Sequence, residues 1–280
     1  MSGRNGRGEN LLKISAAKYK APRKVTEEFK EKTCNLEKNC DSQEWMMGET
    51  PPVLANASVN QEIGRRWLQQ AEGEHASVAS FARHTLQLMA IGAPPRLLIA
   101  SQNAAVDEIR HAKLSYGFAK TFLKSDVGPG TLDIEDSLPK LDLKGLVHSI
   151  IEEGCIEETI SAAKVRFGAH TAKEPAIKRA LTQIGDDETR HAQLAWDTIE
   201  WIITKFPEVR KFVDEIFAVE LEYRSPPLDN HFDETQTTFC LENNINTAFR
   251  NHGLIVNGDK TMIRKAVIQN VRGISFQGNS

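Results

Sequence analysis

An eight-residue segment occurs twice in this chain: Asp107-Glu108-Ile109-Arg110-His111-Ala112-Lys113-Leu114 returns as Asp187-Glu188-Thr189-Arg190-His191-Ala192-Gln193-Leu194, 80 residues later. The same offset carries Pro95 onto Pro175 and Tyr116 onto Trp196. Each copy contains Glu-x-x-His, which on a helix puts a carboxylate and an imidazole on one face about one turn apart. In the first copy that pair lies on a helical stripe through Leu97, Ser101, Ala104, Glu108, His111, Ser115, Phe118 and Phe122. In the second the stripe runs Ile177, Leu181, Ile184, Glu188, His191, Ala195, Thr198 and Ile202. Both stripes otherwise read as core. A carboxylate and an imidazole buried side by side are costly unless something offsets the desolvation, and a metal cation is the obvious candidate.

Each repeat is preceded by a helix that offers one more core carboxylate. Ser58 followed by Gln61 resembles a capping box, and helical stepping from there selects Trp67, Ala71, Glu74, Val78, Phe81, Thr85 and Leu88, with Glu72 off the stripe. This helix ends at Gly92-Ala93-Pro94-Pro95. A third helix is expected from about Leu141 to Ala169, and Lys173-Glu174-Pro175 opens a fourth that ends near Phe206-Pro207. The third offers Glu157 or Glu158. Facing Glu157 inward would bring Lys164 into the core, whereas facing Glu158 inward aligns Ile151, Cys155, Ala162, Val165 and Ala169, so Glu158 is the better choice. The link between the two helix pairs can span roughly 60 Å when extended, enough to cross a bundle about 40 Å long. The expected fold is therefore all-α: a four-helix bundle with one long crossover.

The set Glu74, Glu108, His111, Glu158, Glu188 and His191 resembles the ferritin-like di-iron carboxylate superfamily, whose pattern is Glu, Glu-x-x-His, Glu, Glu-x-x-His over four helices. The resemblance covers roughly residues 60–205. The segments Glu74-His75-Ala76-Ser77-Val78-Ala79-Ser80-Phe81, Glu153-Gly154-Cys155 and Glu158-Thr159 are also similar to a group of bacterial ferritin-like-domain proteins. The likeness implies that these six residues hold two iron ions. It implies too that Asp107 and Asp187 steady the ligand imidazoles while Arg110 and Arg190 hold those aspartates, an outer support that metal-bound His generally needs. Paired Asp and Arg beside two His favour redox catalysis over storage.

The implied activity is that of an O2-dependent non-haem di-iron oxidase or oxygenase acting on a small-molecule substrate, with electrons from a donor protein or from the substrate itself. A ferroxidase or other iron-handling protein, and a dimanganese catalase-like enzyme, are the alternatives. Carboxylate and imidazole donors suit iron or manganese, and the lack of thiolates in the set disfavours zinc and iron–sulfur clusters. Tyr116 and Trp196, equivalent in the repeat, are read as core aromatics with an electron relay as the alternative. Cys155 is read as a small apolar filler, and His75, His84, His148 and His170 as structural or exposed.

The remainder of the chain bounds the setting. With 35 Lys+Arg against 38 Asp+Glu the net charge is −3, which gives no polyanion-binding field and argues against nucleic acid as a partner. No apolar run approaches the ~20 residues of a membrane span, and the start of the chain lacks a secretory signal. Four scattered cysteines form no disulfide scaffold, so a cytoplasmic setting is expected, organellar import being the alternative. Three regions follow: a mobile basic arm over 1–57, the bundle over 58–206, and a helical extension over 207–280. Within the extension, helices are expected near 209–221, 239–252 and 259–273, in reach of capping the bundle, lining an entrance or mediating a homodimer.

Overall fold

The structure, a computed structural model, describes residues 44–130, 132, 134, 137–138, 141–223 and 239–273, with side chains described except at 220–223, 239–244 and 272–273. The basic stretch assigned to a mobile arm lies outside the described residues as far as residue 43. Every regular element among the described residues is helical. In chain order these are α1 (Ala57–Ala90), α2 (Pro95–Leu123), α3 (Leu143–Ser149), a π-helical stretch (Ile150–Glu158), α4 (Thr159–Thr171), α5 (Pro175–Lys205), a 3-10 turn (Pro207–Val209), α6 (Arg210–Tyr223), α7 (Phe239–Asn251) and α8 (Asn257–Gly273). No helix among them is long and apolar enough to cross a membrane.

The boundaries follow from local chemistry. Helix α1 is capped by Asn56, whose Oδ1 accepts from the Val59 amide at 3.2 Å, and not by Ser58. The Asn60 side chain ties down the entering chain by bonding both the amide and the carbonyl of Leu54. At the other end Gly92 takes φ +71° and the Ala93 amide reaches back to the Leu88 carbonyl at 3.0 Å, the hydrogen-bond pattern of a glycine C-terminal cap. The third long helix starts at Leu143, where the Asp142 carboxylate accepts from the Gly145 amide, and runs unbroken through the π stretch into α4. Helix α5 places Pro175 in its first turn, where the missing N–H costs nothing.

The chain divides into two compact units: residues to Leu86 with Gln102–Pro139, and Gln87–Ser101 with Lys140 onward. In the first, α1 and α2 run antiparallel. A Cβ added to Gly64 would lie 2.6 Å from Leu123, and the Gln102 amide donates to Thr85 Oγ1 at 2.9 Å, so start meets end at both extremities. Trp67 packs on Phe118 with ring centroids 4.9 Å apart. The segment around Trp45 and Met46 leans on Ala71, Ala112 and Tyr116, anchored by the Met47 amide on the Lys113 carbonyl. A Cβ at Gly117 would sit 2.4 Å from the Met47 carbonyl oxygen, so only glycine admits this segment.

In the second unit the third helix and α5 are likewise antiparallel: Gly154 faces Ala195, Arg166 pairs with Asp186, and Gly168 touches Leu181. Their core is built from Ile151, Ile156, Ile160, Ile199 and Ile202, and α6 and α8 close it with Val213, Phe217, Val267 and Ile268. Each such side chain contributes roughly 1.5–3 kcal/mol by leaving water. The extension beyond residue 206 thus shares the core of its unit, and all three of its expected helices are present.

Candidate metal centre

The stripes read from the sequence are buried stripes. Along α2, all eight residues from Leu97 to Phe122 that share a face with Glu108 are buried, and so are the eight on α5 from Ile177 to Ile202. Among their buried hydroxyls, Thr198 turns back on its own helix by donating to the Leu194 carbonyl at 2.7 Å. The Glu-x-x-His pairs therefore face inward because their apolar neighbours do.

In the first unit Glu74, Glu108 and His111 are 7%, 2% and 0% exposed. Each offers a ligand atom within 4.8 Å of the others'. His111 Nδ1 lies 3.9 Å from Glu74 Oε2 and 3.7 Å from Glu108 Oε2. Two ligands each about 2.1 Å from a shared ion stand about 3.0–3.4 Å apart, so these two His–Glu separations exceed the spacing of a shared ion by less than about 1 Å. Four residues beyond His111 on the same face, Ser115 Oγ is buried with no hydrogen-bond partner among the described residues, a polar atom directed at a place where an aliphatic core would have none.

The second unit holds the counterpart. Glu158, Glu188 and His191 bring their ligand atoms within 4.8 Å of one another, with His191 Nδ1 4.0 Å from Glu188 Oε1. Glu188 and His191 are buried, Glu158 half-buried. Its neighbour Glu157 turns elsewhere: Arg264 on α8 donates to its carboxylate at 3.3 Å. Lys164 lies near the same carboxylate, and burial lowers its pKa while Glu157 partly restores it. The side chain that the sequence kept out of the core is thus paired with the extension.

Arg110 is ion-paired with Asp107 and Arg190 with Asp187, each three residues along one helix, with both aspartates buried. The Asp–Arg half of the expected support is present in both copies. The aromatic pair diverges. Trp196 stacks on Phe217 at 5.3 Å with planes 5° apart and belongs to the apolar core. Tyr116 is fully buried, edge-on to Trp45 at 6.3 Å, and Trp45 also meets His75 at 5.1 Å.

Two polar side chains escaped the sequence reading. Gln70 Nε2 donates to Glu74 Oε1; its signal was only a polar residue one turn before a candidate ligand. Glu152, 6% exposed with His148 Nδ1 3.9 Å away, lies on the π stretch. A π turn holds more residues than the 3.6 assumed in stepping, so an acid one place off the stripe is brought inward.

Burial dominates the titration of nearby groups. Cys155 is fully buried and its thiol is pushed well above its ordinary value, as suits an inert filler. Desolvation raises Glu72 and lowers His75. His84 falls to about 4, from desolvation first and the neighbouring Arg83 charge second. Comparison with protein-family models, with curated proteins and with solved structures finds no match to this chain.

Proposed function

We propose that the two Glu/Glu/His triads are halves of one dinuclear metal centre in a ferritin-like four-helix bundle with one long crossover, and that the protein is an O2-dependent non-haem di-iron oxidase or oxygenase acting on a small molecule. The observation that carries this reading is the duplication. Each unit contains a buried Glu-x-x-His and, on the antiparallel partner helix, one further carboxylate within ligand spacing. Six such groups would impose a large desolvation cost if left to one another. Four carboxylates against two divalent ions make a neutral ensemble, which allows burial.

The donor chemistry fits: hard carboxylate oxygens that can be shared between two cations, imidazole nitrogens, and no thiolate, the set expected for iron with manganese as the nearest competitor. Two iron ions, when bound, supply the electrons for reducing O2 while a substrate is oxidised. The chain's own part is to hold and shield. Glu74, Glu108 and His111 bind on one side and Glu158, Glu188 and His191 on the other. Asp107 and Asp187, held by Arg110 and Arg190, fix the electrostatics beside the ligands. The aliphatic stripes keep bulk water out, which strengthens every charge interaction inside.

Iron loading followed by O2 uptake tests the reading. An oxidase or oxygenase consumes O2 in proportion to substrate oxidised once two Fe(II) are bound. Turnover of many Fe(II) per chain with no organic substrate would instead identify a ferroxidase, and peroxide removal by the manganese form a catalase.

A further inference from the structure

We propose that Lys164, Lys260 and Arg264 form a binding site for a phosphoryl group, on the face of the second unit where the third long helix packs against α8. Its residues include none of the six candidate metal ligands, so it stands apart from the dinuclear reading. The two helices run antiparallel here. Arg264 Nη2 donates to Glu157 Oε1 at 3.3 Å, and further along a Cβ at Gly168 would lie 2.6 Å from the Gly253 carbonyl oxygen. Lys164 on α4 and Lys260 on α8 fall between these two contacts. Sequence spacing explains why the charges share a face: Lys164 follows Glu157 by about two helical turns, and Arg264 follows Lys260 by about one.

The charges gathered there do not balance. Among the described residues Glu157 is the acid whose charge acts on Lys164, whereas Arg264 and Lys260 both act on it as like charges. Three cations against one carboxylate leave an excess of two positive charges. Lys164 is half-buried, and desolvation is the largest influence on its ammonium, so crowding by two further cations is unfavourable unless an anion joins them. Neither lysine ammonium donates a hydrogen bond among the described residues, and the contact with Glu157 uses one N–H of a guanidinium that has several. A phosphoryl group brings about −1.5 to −2 charge at pH 7 and three strong acceptor oxygens, which matches the excess and the three separate donors. A carboxylate, with a single charge and two coplanar oxygens, would engage Arg264 and leave both lysines uncompensated. Lys260 is exposed and the Arg264 side chain 35% exposed, so the ligand enters from solvent, and Glu157 already holds Arg264 in place to meet it.

Calorimetric titration of the full-length protein with inorganic phosphate, at an ionic strength held constant with sodium chloride, tests this site. The parent should bind one phosphate per chain, and phosphate should raise its melting temperature more than chloride does at equal ionic strength. Lys164→Met keeps the apolar stem and removes the charge, and it should weaken phosphate binding by roughly tenfold or more, as should Lys260→Met. Because Lys164→Met also removes a desolvated charge, that variant should melt no lower than the parent in phosphate-free buffer. Lys265→Met, at an exposed neighbour on α8, should leave binding unchanged. Phenyl phosphate separates the sources: tighter binding than inorganic phosphate identifies a phosphomonoester, weaker binding the free ion, and both carry the site. It is overturned if the parent takes up no phosphate, if chloride gives the same thermal shift, or if phosphate uptake survives both Lys164→Met and Lys260→Met unchanged. A Lys164→Met protein that melts well below the parent without phosphate would overturn it too, marking the cluster as a structural ion network.

Discussion

The two candidate triads use the same three residue types and differ in how their helices present them. In the first unit Glu74 comes from an unbroken α-helix, is nearly sealed from solvent, and is steadied by Gln70. In the second, Glu158 sits at the end of a π-helical stretch, is half-buried, and has a neighbouring acid engaged by Arg264 from the extension. The Glu-x-x-His pairs match closely, with His–Glu separations of 3.7 and 4.0 Å. Duplication has thus held constant the part made by one helix, while the part that depends on the partner helix has diverged. A motif confined to four residues of one helix survives changes of packing, whereas a ligand from the adjacent helix must follow every shift in that helix's register.

The most damaging way to probe this comparison is to remove one half at a time. His111→Ala and His191→Ala should each lower the metal content from two ions per chain to one, read by elemental analysis after anaerobic Fe(II) loading; a substitution that empties both positions would mean that the halves are not separable. The next test distinguishes neighbours. Glu158→Ala should weaken one binding step by at least the 10–100-fold typical of disturbing even an outer partner, while Glu157→Ala should leave both steps in place and cost only the ~0–1 kcal/mol of a partly exposed ion pair. The opposite pattern would overturn the assignment of Glu158.

Acid bears on the first unit through His84. Its folded-state pKa of about 4 lies below its ordinary 6.5, so the unfolded chain binds a proton that the native state refuses. Its effect on stability is constant above pH 6.5, turns unfavourable as the pH falls from 6.5 to about 4, and levels off below that, for a total of roughly 3 kcal/mol. His84→Gln should remove this stretch from a denaturant-derived stability profile, and an unchanged profile would refute the assignment.

The smallest effects concern two glycines. Gly154→Ala brings a methyl to 2.5 Å from the Ala195 Cβ and should destabilise by about 1–3 kcal/mol. Gly73→Ala meets nothing and should stabilise by about 0.5–1 kcal/mol. Thermal melts of the metal-free proteins would show shifts of opposite sign, and shifts of the same sign would undo the packing contrast.

What could be read in the sequence was what a regular α-helix dictates. The stripes on α2 and α5 are buried residue for residue, because 3.6-residue stepping applies there without interruption. The inward-facing Glu74 came from the same logic. The π stretch was not legible, since nothing in Ile150–Glu158 marks a wider turn, and with it went Glu152. Asn56 displaced Ser58 as the cap because the helix begins two residues earlier than the capping-box pattern suggests. Gln70 was invisible for another reason: an exposed amide earns no weight from periodicity, and only the direction of its side chain reveals its partner. The positions of Trp196 and Tyr116 were equivalent by repeat, but their surroundings, Phe217 from the extension and Trp45 from the entering segment, come from parts of the chain outside the repeat.

The central claim is that two metal ions are held together, and magnetic coupling tests it most directly. Full-length protein loaded anaerobically with Mn(II) should contain two ions per chain and give the electron paramagnetic resonance spectrum of an exchange-coupled pair, lost in both His111→Ala and His191→Ala. Fewer than one ion per chain, or two ions whose spectra are those of isolated Mn(II), would contradict it.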